Sequence, residues 1–429
     1  MSSSAGRKAR PEIAVVGAGA VGVCSAFEFA RAGYRVILLD RDGIASDASA
    51  SSGNASHLAV AAPFPPVDAD SLWKVPGMLA DPTGPLRIDL RYLPRIAPWL
   101  LRMLWHVRPG SWSHIVRGLR RLNDRSTLAW QRMLAAARVA DGLRPEGSIM
   151  VAETAAGKRE LHASAARYRE WGVRADPLDG SEVRELEPGL SAGLQGGLLF
   201  ADAGHFRGPA QVLERIWQAA REAGCEWRQA DVTGIRVDDQ GVQLETVGEA
   251  IHADHVLIAT GAHSAPLVRQ ATGVRVPLDT ERGYHLQLPR EQGRLVYPVA
   301  SLERRFVMTP LPDGLRMAGT VEFAGLRRPA DMRRAEVLGR HAEGLLGERL
   351  DHQDAGTWMG FRPTLADWLP VIDRTGPGGR VMLGFGHHHL GLTQAALTAE
   401  LLRDLLRERQ ELSVPVAPYR LGRFGSPRK

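Results

Sequence analysis

The sequence predicts an α/β protein whose central domain is assembled from separate segments of the chain, beside a second domain of mixed or antiparallel sheet plus helices. Two glycine-rich turns support this prediction, because each follows a short apolar run and precedes a helix-compatible stretch. They lie far apart, at 17–22 and 386–393. Between them, apolar and polar residues alternate at 284–288, 305–309 and 315–321, which indicates antiparallel strands.

The first glycine-rich turn has the pattern G-x-G-x-x-G directly after a β-branched, apolar run. In this pattern Gly17 permits a tight turn, Gly19 lets a pyrophosphate approach the backbone, and Gly22 lets the helix pack closely on its strand. A second apolar run ends on Asp40, where an acid accepts hydrogen bonds from ribose hydroxyls and disfavours a 2′-phosphate. The free N–H groups of the helix N-terminus favour phosphates. The segment therefore predicts a Rossmann-like dinucleotide-binding unit.

The remaining elements follow from composition and periodicity. Small polar residues at 46–57 indicate a loop against a ligand, and a cluster of prolines blocks regular structure after it. A buried strand within 253–262 runs into Thr260 and Gly261, which indicates a second close approach of backbone to a ligand. Short strands are also predicted within 224–245 and at 381–383. Helical periodicity covers 86–138 with breaks at Pro98 and Pro109, 157–171, 209–223, 333–350 and 394–407.

This order of elements predicts an interrupted architecture. A dehydrogenase that uses NAD usually keeps its Rossmann unit in one contiguous block, so the layout favours a flavoprotein with an interrupted Rossmann-like FAD-binding domain. We assign three segments to that domain, 12–85, 191–275 and 356–429. The substrate domain takes the other two segments, 86–190 (cap) and 276–355 (antiparallel β).

Bulk properties exclude several classes of protein. The 429 residues exceed what one core usually supports, so two domains are expected. Two cysteines exclude a disulfide scaffold and a cysteine-rich metal site. Residues 1–11 are polar and basic without an apolar stretch, and no long uncharged apolar run follows. We therefore expect no signal peptide, no transmembrane helix and a cytoplasmic location.

The net charge of +6 is concentrated in 87–125, where Arg and His interleave with Trp and Leu. No helix-turn-helix, zinc-finger or RNP-like pattern accompanies it, so we expect no nucleic-acid partner. The stretch is typical of an ordinary helical face with exposed Arg, and a patch that lies on a membrane surface is the alternative. Peripheral attachment to the inner membrane and a homodimer both stay open.

Four motifs together resemble the D-amino-acid oxidase superfamily of FAD-dependent oxidoreductases, specifically the bacterial D-amino-acid dehydrogenases. The first is the N-terminal fingerprint. The second, at 52–57, is similar to the family's Ser/Ala-x-Asn-Ala-Gly-Gln loop, with Ser56 and His57 in place of Gly and Gln. The third, at 258–262 with 231–235 before it, is similar to the stretch whose valine backbone holds the adenine. The fourth, at 358–363, 367–372 and 386–393, is similar to the family's G-x-R-P, D-x-x-P and G-H-x-x-L-G-x-T pattern.

The resemblance implies non-covalent FAD, since no Cys stands where a covalent flavin bond would need one. It also implies the cofactor contacts, which combine the fingerprint with the three other motifs. These are Gly17, Ala18, Gly19, Ala20, Val21, Gly22, Asp40, Arg41, Ser52, Asn54, Ala55, Ser56, His57, Val232, Thr260, Gly261, Gly386, Leu390, Gly391, Leu392 and Thr393. The helix that begins near Gly391 would direct its positive end at the flavin pyrimidine ring.

Four residues are candidates for catalysis. A substrate carboxylate needs a bidentate cation, and Arg362 in Gly-Phe-Arg-Pro is the best candidate. Tyr284 could donate its hydroxyl to the same carboxylate, or it is a packed aromatic. Of His387 and His388, one could face the flavin or substrate and the other could be a core histidine. Adjacent histidines diverge and no carboxylate lies at ligand spacing, so we predict no metal.

The sequence therefore predicts an FAD-dependent D-amino or imino acid dehydrogenase, with hydride transfer to flavin N5. The form of the turn at 386–393 resembles the branch that acts on D-hydroxyproline, so D-hydroxyproline or D-proline would give a pyrroline carboxylate. The electron acceptor would be other than oxygen, with a quinone as one candidate. The alternatives are a sarcosine or glycine oxidase-like enzyme that makes peroxide, a flavoprotein that modifies tRNA, and a non-catalytic FAD-bound subunit.

Overall fold

A computed structural model of the chain describes residues 11–68, 72–81 and 84–426. Nearly all of the polar stretch predicted at 1–11 lies outside the described residues. The α-helices in chain order are α1 Ala20–Arg31, α2 Val75–Ala80, α3 Leu93–His106, α4 Pro109–Ala136, α5 Ala155–Glu170, α6 Gly180–Leu186, α7 Pro209–Glu222, α8 Ser264–Thr272, α9 Arg333–Leu346 and α10 Gly391–Leu406. No helix in these ranges is long and apolar enough to cross a bilayer.

The strands also follow the chain order. They are β1 Glu12–Val16, β2 Arg35–Asp40, β3 His57–Leu58, β4 Leu86–Ile88, β5 Leu143–Arg144, β6 Ser148–Ala152, β7 Asp176–Asp179, β8 Gly196–Phe200, β9 Gly204–Phe206, β10 Cys225–Gln229, β11 Val232–Asp238, β12 Gly241–Thr246, β13 Ile251–Ala253, β14 His255–Ile258, β15 Leu278–Leu288, β16 Val299–Ser301, β17 Phe306–Leu311, β18 Gly314–Phe323, β19 Gly356–Leu365, β20 Val371–Thr375 and β21 Val381–Phe385.

The central sheet has six strands in the order β10-β2-β1-β14-β21-β20. All neighbours are parallel except β20, which pairs antiparallel with β21. Strands from three distant parts of the sequence therefore meet in one sheet. The carboxyl ends of β1 and β14 lie side by side, where ligands bind in open parallel sheets.

Both faces of this sheet are buried, as parallel sheets require. Ile13 and Val15 point to the face covered by α1, α4, α7 and α10. Ala14 and Val16 point to the opposite face, which α8 and the β11-β12-β13 sheet cover. Successive side chains in a strand point to opposite faces of the sheet, so the uninterrupted apolar run of β1 contributes side chains to two separate cores.

The second large sheet has the order β19-β15-β18-β17-β16-β6-β8-β7, and β4 pairs with β18. Most of its pairs are antiparallel, but β16 runs parallel to β6 and β4 runs parallel to β18. One face packs on α9 through Leu286, Met317 and Leu338. The other face approaches the central domain, because His285 bonds to Gly53 and Trp358 bonds to Asp47.

The fold class predicted from sequence is confirmed, since the chain forms an interrupted Rossmann-like sheet and a mixed sheet with helices. The assignment of 12–85, 86–190, 191–275, 276–355 and 356–429 to two domains stays a prediction. Two strands belong to a different sheet from the one that this division of the chain implies. β8 and β19, which that division gives to the FAD-binding domain, are strands of the second large sheet, because β8 pairs with β6 and β19 pairs with β15.

Candidate active site

A cavity of about 510 Å³ lies between the two large sheets. At one end it is bordered by Asp40, Arg41 and Val232, and at the other by Arg362 and His389. The glycine-rich turn and the loop at 46–55 border it between these ends. An elongated cavity with a nucleotide turn along its side is suited to a dinucleotide.

The glycine-rich turn fits the roles that its spacing predicts. Gly17 has φ +105°, and a Cβ there would lie 2.5 Å from the carbonyl oxygen of Ala259. A Cβ on Gly22 would lie 1.7 Å from the carbonyl oxygen of Gly17. Gly19 begins α1 without a side-chain cap, and the first turn holds no acidic residue. The N-terminus of α1 therefore leaves room and N–H groups for an anion.

Asp40 ties the turn to the end of β2. Its carboxylate accepts hydrogen bonds from the backbone N–H of Ala18 at 2.7 Å and of Asp42 at 2.9 Å. Arg41, Val232, Thr260 and Gly261 border the same end of the cavity. This arrangement places the Asp40 carboxylate where an adenosine ribose would lie.

The loop at 46–57 is held by short side-chain bonds within itself. Asn54 donates to the carbonyl of Ser51 and accepts from the N–H of Ser56, whose φ is +56°. Asn54 and Ala55 border the cavity, but Ser52, Ser56 and His57 do not. The Ser52 hydroxyl donates to Ala45, and His57 pairs in register with His205 between β3 and β9. These three residues shape the loop, and their assignment as direct cofactor contacts stays a prediction.

The second large sheet fixes the carbonyl groups of this loop, through residues that the sequence did not reveal. Arg316 donates to the carbonyls of Ser52 and Asn54 at 3.2 and 3.1 Å. Thr309 donates to the carbonyl of Ala55 at 2.7 Å. The Nδ1 of His285 lies 2.6 Å from the carbonyl of Gly53, so this nitrogen carries the hydrogen. The loop conformation thus depends on three side chains more than 200 positions away.

Arg362 lies at the far end of the cavity, on the face that β15 and β19 turn toward the central domain. Its guanidinium sits over Gly283, where a Cβ would be 2.2 Å from Nη2. Nη1 donates to the carbonyl of Thr320 at 3.1 Å, and no other hydrogen bond or ion pair of this side chain occurs within the described ranges. Burial lowers the pKa of Arg362 from its ordinary value, which still leaves it a cation at neutral pH. Its remaining donors are available to a ligand.

Tyr284 does not direct its hydroxyl at this arginine, which corrects the sequence prediction. Side chains alternate along β15, so Tyr284 points to the opposite face of the sheet from Gly283. Its hydroxyl donates to Glu322 at 2.6 Å. Burial raises the pKa of Tyr284 to about 12, and this hydrogen bond adds to the rise. Tyr284 is therefore a packed aromatic, although the residue also borders the cavity.

The three adjacent histidines all border the cavity, but their rings diverge. The one whose ring is exposed, His389, was not selected from the sequence. The Nε2 of His387 lies 3.0 Å from the Thr398 hydroxyl in α10, and the ring of His388 stacks on Trp368. Both rings are buried. His389 is exposed, and its open surface borders the cavity. The only sequence signal for His389 was its place in the triplet, because the short 3₁₀ turn over His388–Leu390 decides which ring points inward.

The C-terminal glycine-rich turn contributes unequally to the cavity. Gly391 and Leu392 border it at the start of α10. Leu390 is core, and the Thr393 hydroxyl accepts from the N–H of Ala59 at 3.0 Å. Gly386 has φ +81°, and a Cβ there would collide with Leu365. Five predicted contacts lie outside the cavity lining and stay predictions: Ala18, Gly22, Gly386, Leu390 and Thr393.

No group of three or more His, Cys, Asp or Glu residues with metal-binding geometry occurs in the described part of the chain. Both cysteines are buried and free, and burial raises the pKa of each thiol. The cavity therefore offers arginine, imidazole and backbone groups to its ligand.

The fold and the cavity together define a dinucleotide-dependent oxidoreductase. Comparison with known proteins identifies the family: the model of the FAD dependent oxidoreductase (DAO) family matches residues 12–405, and the chain belongs to that family. It is 33% identical over 420 residues to a D-amino-acid oxidase of Bradyrhizobium diazoefficiens, covering 96% of this chain and 98% of that one.

A second relative and a solved structure extend the likeness. A D-amino acid dehydrogenase of Cereibacter sphaeroides is 29% identical over 434 residues, which covers 97% of this chain and 96% of that protein. The crystal structure of glycine oxidase from Geobacillus kaustophilus superposes with a TM-score of 0.70 at 22% identity, covering 96% and 98% of the two chains. The protein is thus an FAD-dependent oxidoreductase that acts on CH–NH bonds.

The residues present fit FAD. Gly17 and Gly22 have no room for a side chain, the first turn of α1 carries no competing acid, and Asp40 borders the cavity. The pyrophosphate would lie against Gly19, Ala20 and Val21. The isoalloxazine would lie at the end bordered by Gly391 and Leu392.

Proposed function

We propose that this protein is an FAD-dependent dehydrogenase of D-amino acids or cyclic D-imino acids. The observation that carries the proposal is Arg362, whose guanidinium faces the redox end of the cavity with donors left free. A planar fork of donors beside a flavin site is suited to a substrate carboxylate, and it would hold the adjacent Cα in a fixed position. Relatives named for D-amino acid oxidation support the same substrate class.

In the reaction, the bound flavin supplies the acceptor for the hydrogen on Cα and its electron pair. Arg362 binds the carboxylate. His389 borders the same end. Its ring is exposed to the cavity, but the protein packed around it desolvates the ring, and this desolvation together with the charge of Arg362 lowers its pKa to about 4. A neutral imidazole can accept a hydrogen bond from the substrate amine and keeps positive charge away from it. Loss of the Cα hydride and of the N–H proton then gives an imine, or a pyrroline carboxylate from a ring substrate.

A cyclic substrate, D-hydroxyproline or D-proline, is the narrower form of the proposal. It rests on the resemblance of the 386–393 turn to the branch that oxidises cyclic D-imino acids. A panel of both proline enantiomers, cis-4-hydroxy-D-proline and acyclic D-amino acids tests it by initial rate. A preference for acyclic substrates would overturn the narrower form and leave the class intact.

An oxidase that reduces oxygen to peroxide is the second candidate, because the relative at 33% identity is named an oxidase. Our proposal assigns the electrons to another acceptor, such as a quinone. Stopped-flow reoxidation of the reduced enzyme by oxygen and by a soluble quinone decides between them. Oxygen reoxidation as fast as that by quinone, with one peroxide per turnover, would favour the oxidase.

The surface of α3 supports an acceptor held in a membrane. Leu93, Leu101, Leu104 and Trp105 form an exposed apolar stripe on this helix, opposite the buried face of Ile96 and Met103. The helix contains no acidic residue and carries Arg95 and Arg102. Apolar and aromatic side chains flanked by arginine match an anionic lipid surface. Two copies of this stripe would bring like charges together, which disfavours a dimer through it.

Sedimentation with lipid vesicles tests this surface. The protein should sediment with vesicles that contain phosphatidylglycerol but not with pure phosphatidylcholine, and Leu101→Ser with Trp105→Ser should abolish sedimentation without loss of turnover on a soluble acceptor. Unchanged sedimentation of the double variant, or dimerisation that depends on the same residues, would overturn the lipid assignment.

The first experiment for the class is anaerobic reduction of the purified, FAD-loaded protein. D-amino or D-imino acids should bleach the flavin absorbance, and the L-enantiomers should not. Arg362→Lys should retain FAD and weaken substrate binding, since an ammonium cannot replace the bidentate fork. Flavin that no amino acid reduces would refute the proposal, and the alternatives of a tRNA-modifying enzyme or a non-catalytic subunit would then be tested.

A further inference from the structure

A buried carboxyl group lies behind Arg362 and has no part in the scheme above. Glu281 stands directly opposite Arg362 in the register of β15 and β19 and shares its face of the sheet. Its side chain is almost completely buried, at 4% exposure. An acid so close to the proposed carboxylate anchor would weaken that anchor if it were ionised. Its protonation state therefore matters to substrate binding.

His388 indicates which form of Glu281 the structure accommodates. The Nε2 of His388 lies 3.3 Å from the carbonyl of Leu365, so this nitrogen carries the hydrogen. Burial lowers the pKa of His388 well below its usual value, so the ring is neutral and Nδ1 has a free lone pair. Nδ1 is buried without a hydrogen-bond partner and lies 4.0 Å from Oε1 of Glu281. Only a protonated carboxyl offers a hydrogen to that lone pair.

The position of the ring is fixed on both sides. Trp368 stacks on it with the ring centroids 4.1 Å apart, and the His388 backbone has φ +56°. These contacts hold Nδ1 toward Glu281 and prevent the ring from turning its N–H to a carboxylate. The pairing of lone pair and carboxyl is therefore a feature of the folded site.

The charged and polar groups that face Glu281 come from three elements. Burial is the largest influence and raises the pKa of Glu281 to about 7. Asp279, on the same strand, raises it further, whereas Arg362 and the Thr364 hydroxyl on β19 lower it. His388, before α10, is neutral. The carboxyl thus changes charge close to neutral pH, and Arg362 is the cation that lowers its pKa.

We propose that Glu281 is a positioning residue that sets the strength of Arg362 as a carboxylate anchor. In its protonated form it presents a hydrogen toward Nδ1 of His388, 4.0 Å away, and leaves the charge of Arg362 free for the substrate. In its ionised form it competes with the substrate carboxylate for that charge. This inference rests on the proposed function, because it assumes that Arg362 binds the substrate carboxylate.

The linkage between protonation of Glu281 and binding of a carboxylate ligand gives the direction of the pH dependence. A carboxylate bound to Arg362 adds negative charge near Glu281 and favours its protonated form. Ligand affinity is then highest below the pKa of Glu281 and falls as the pH rises through it. Above that pKa, binding takes up a proton from solution. A difference of one pKa unit between free and bound enzyme corresponds to a tenfold change in affinity.

The experiment uses FAD-loaded protein and cyclopentanecarboxylate, which has no amine to titrate. Its dissociation constant is measured from pH 6 to 8.5 through the perturbed flavin spectrum, and we expect it to rise by about tenfold. Glu281→Gln, neutral at every pH, should keep the low-pH affinity throughout. Glu322→Gln is the matched control, because Glu322 lies on the neighbouring strand but bonds to Tyr284 on the opposite face; it should retain the pH dependence.

Calorimetry in two buffers of different ionisation enthalpy provides a test that needs no variant. At pH 8 the unmodified holoenzyme should take up a substantial fraction of a proton on binding the carboxylate. Binding without proton uptake, or a Glu281→Gln variant that keeps the pH dependence, would overturn the inference about Glu281 alone. Absence of carboxylate binding at every pH would remove Arg362 as the anchor and contradict the proposed function itself.

Discussion

Gly283→Ala would test whether the position of Arg362 governs catalysis. The added Cβ would lie 2.2 Å from Nη2 and 2.3 Å from Cζ of Arg362. Carbon atoms in contact prefer separations of about 3.5 Å or more, so the guanidinium must move by roughly 1 Å. The clashing atoms are the far end of a flexible side chain, and the strand itself has no reason to shift. We therefore expect a folded protein with a misplaced anchor.

The magnitude follows from that displacement. A misplacement of about 1 Å at a positioning group can cost about 100-fold in rate, which corresponds to about 2.7 kcal/mol in kcat/KM. Steady-state kinetics with the best D-substrate and a soluble acceptor would measure the loss, and flavin absorbance and thermal unfolding would measure cofactor content and stability. We expect both of the latter to stay near the values of the unmodified protein.

Gly110→Ala provides the matched control. Nothing lies within 4 Å of a Cβ at this position, which is in α4 and has ordinary helical geometry. It should leave kinetics unchanged and stability equal or slightly higher, since Ala favours helix over Gly. A Gly283→Ala variant that retains FAD and has kcat/KM within threefold of the unmodified enzyme would refute the role assigned to Arg362.

Three further changes test other parts of the structure. Arg316→Met removes the hydrogen-bond donors to the carbonyls of Ser52 and Asn54, so we expect FAD to bind at least about tenfold more weakly while the sheet stays folded. Fluorescence titration would measure this, and an unchanged affinity would contradict the role of Arg316 in holding the loop. Trp130→Phe leaves the carbonyls of Leu392 and Thr393 without its N–H, and urea unfolding should show a loss of about 1–3 kcal/mol. Burial raises the pKa of Glu187 to about 7, above that of an unfolded Glu, so its contribution to stability is greatest at low pH and is lost as the pH rises to 7. Glu187→Gln should reduce the fall in unfolding free energy between pH 5 and 8 by about 1–3 kcal/mol, and an identical fall would contradict this.

Local pattern predicted the elements well because their signals lie in neighbouring residues. The runs at 284–288 and 315–321 fall within β15 and β18, and the run at 305–309 overlaps β17. The helix predicted at 333–350 is α9, which ends at Leu346 and is followed by Gly347 with φ +74°. The region at 86–138 also contains β4, a strand of three residues that the helical pattern concealed. Its strand conformation comes from pairing with β18, which is distant in sequence.

The candidate site was predicted in part. Residue type and spacing were enough to predict the fingerprint glycines, Asp40 and Arg362. Four of these residues border the cavity: Gly17, Gly19, Asp40 and Arg362. Arg316, Thr309 and His285 could not be found in this way, because an arginine or threonine in an alternating strand has no local mark of its partner. Tyr284 was misassigned because the face to which a strand residue points depends on sheet register.

The sequence alone determined the class of the protein, since a pyrophosphate turn requires glycine at fixed spacing and a carboxylate anchor requires arginine. These are properties of single residues and short segments. Tertiary structure decided which of the three adjacent histidines is exposed at the cavity, which strand face carries Arg362, and that Glu281 and His388 lie near each other behind it. Each of these depends on the register of β15 with β19 and on the turn before α10, and long-range packing fixes both.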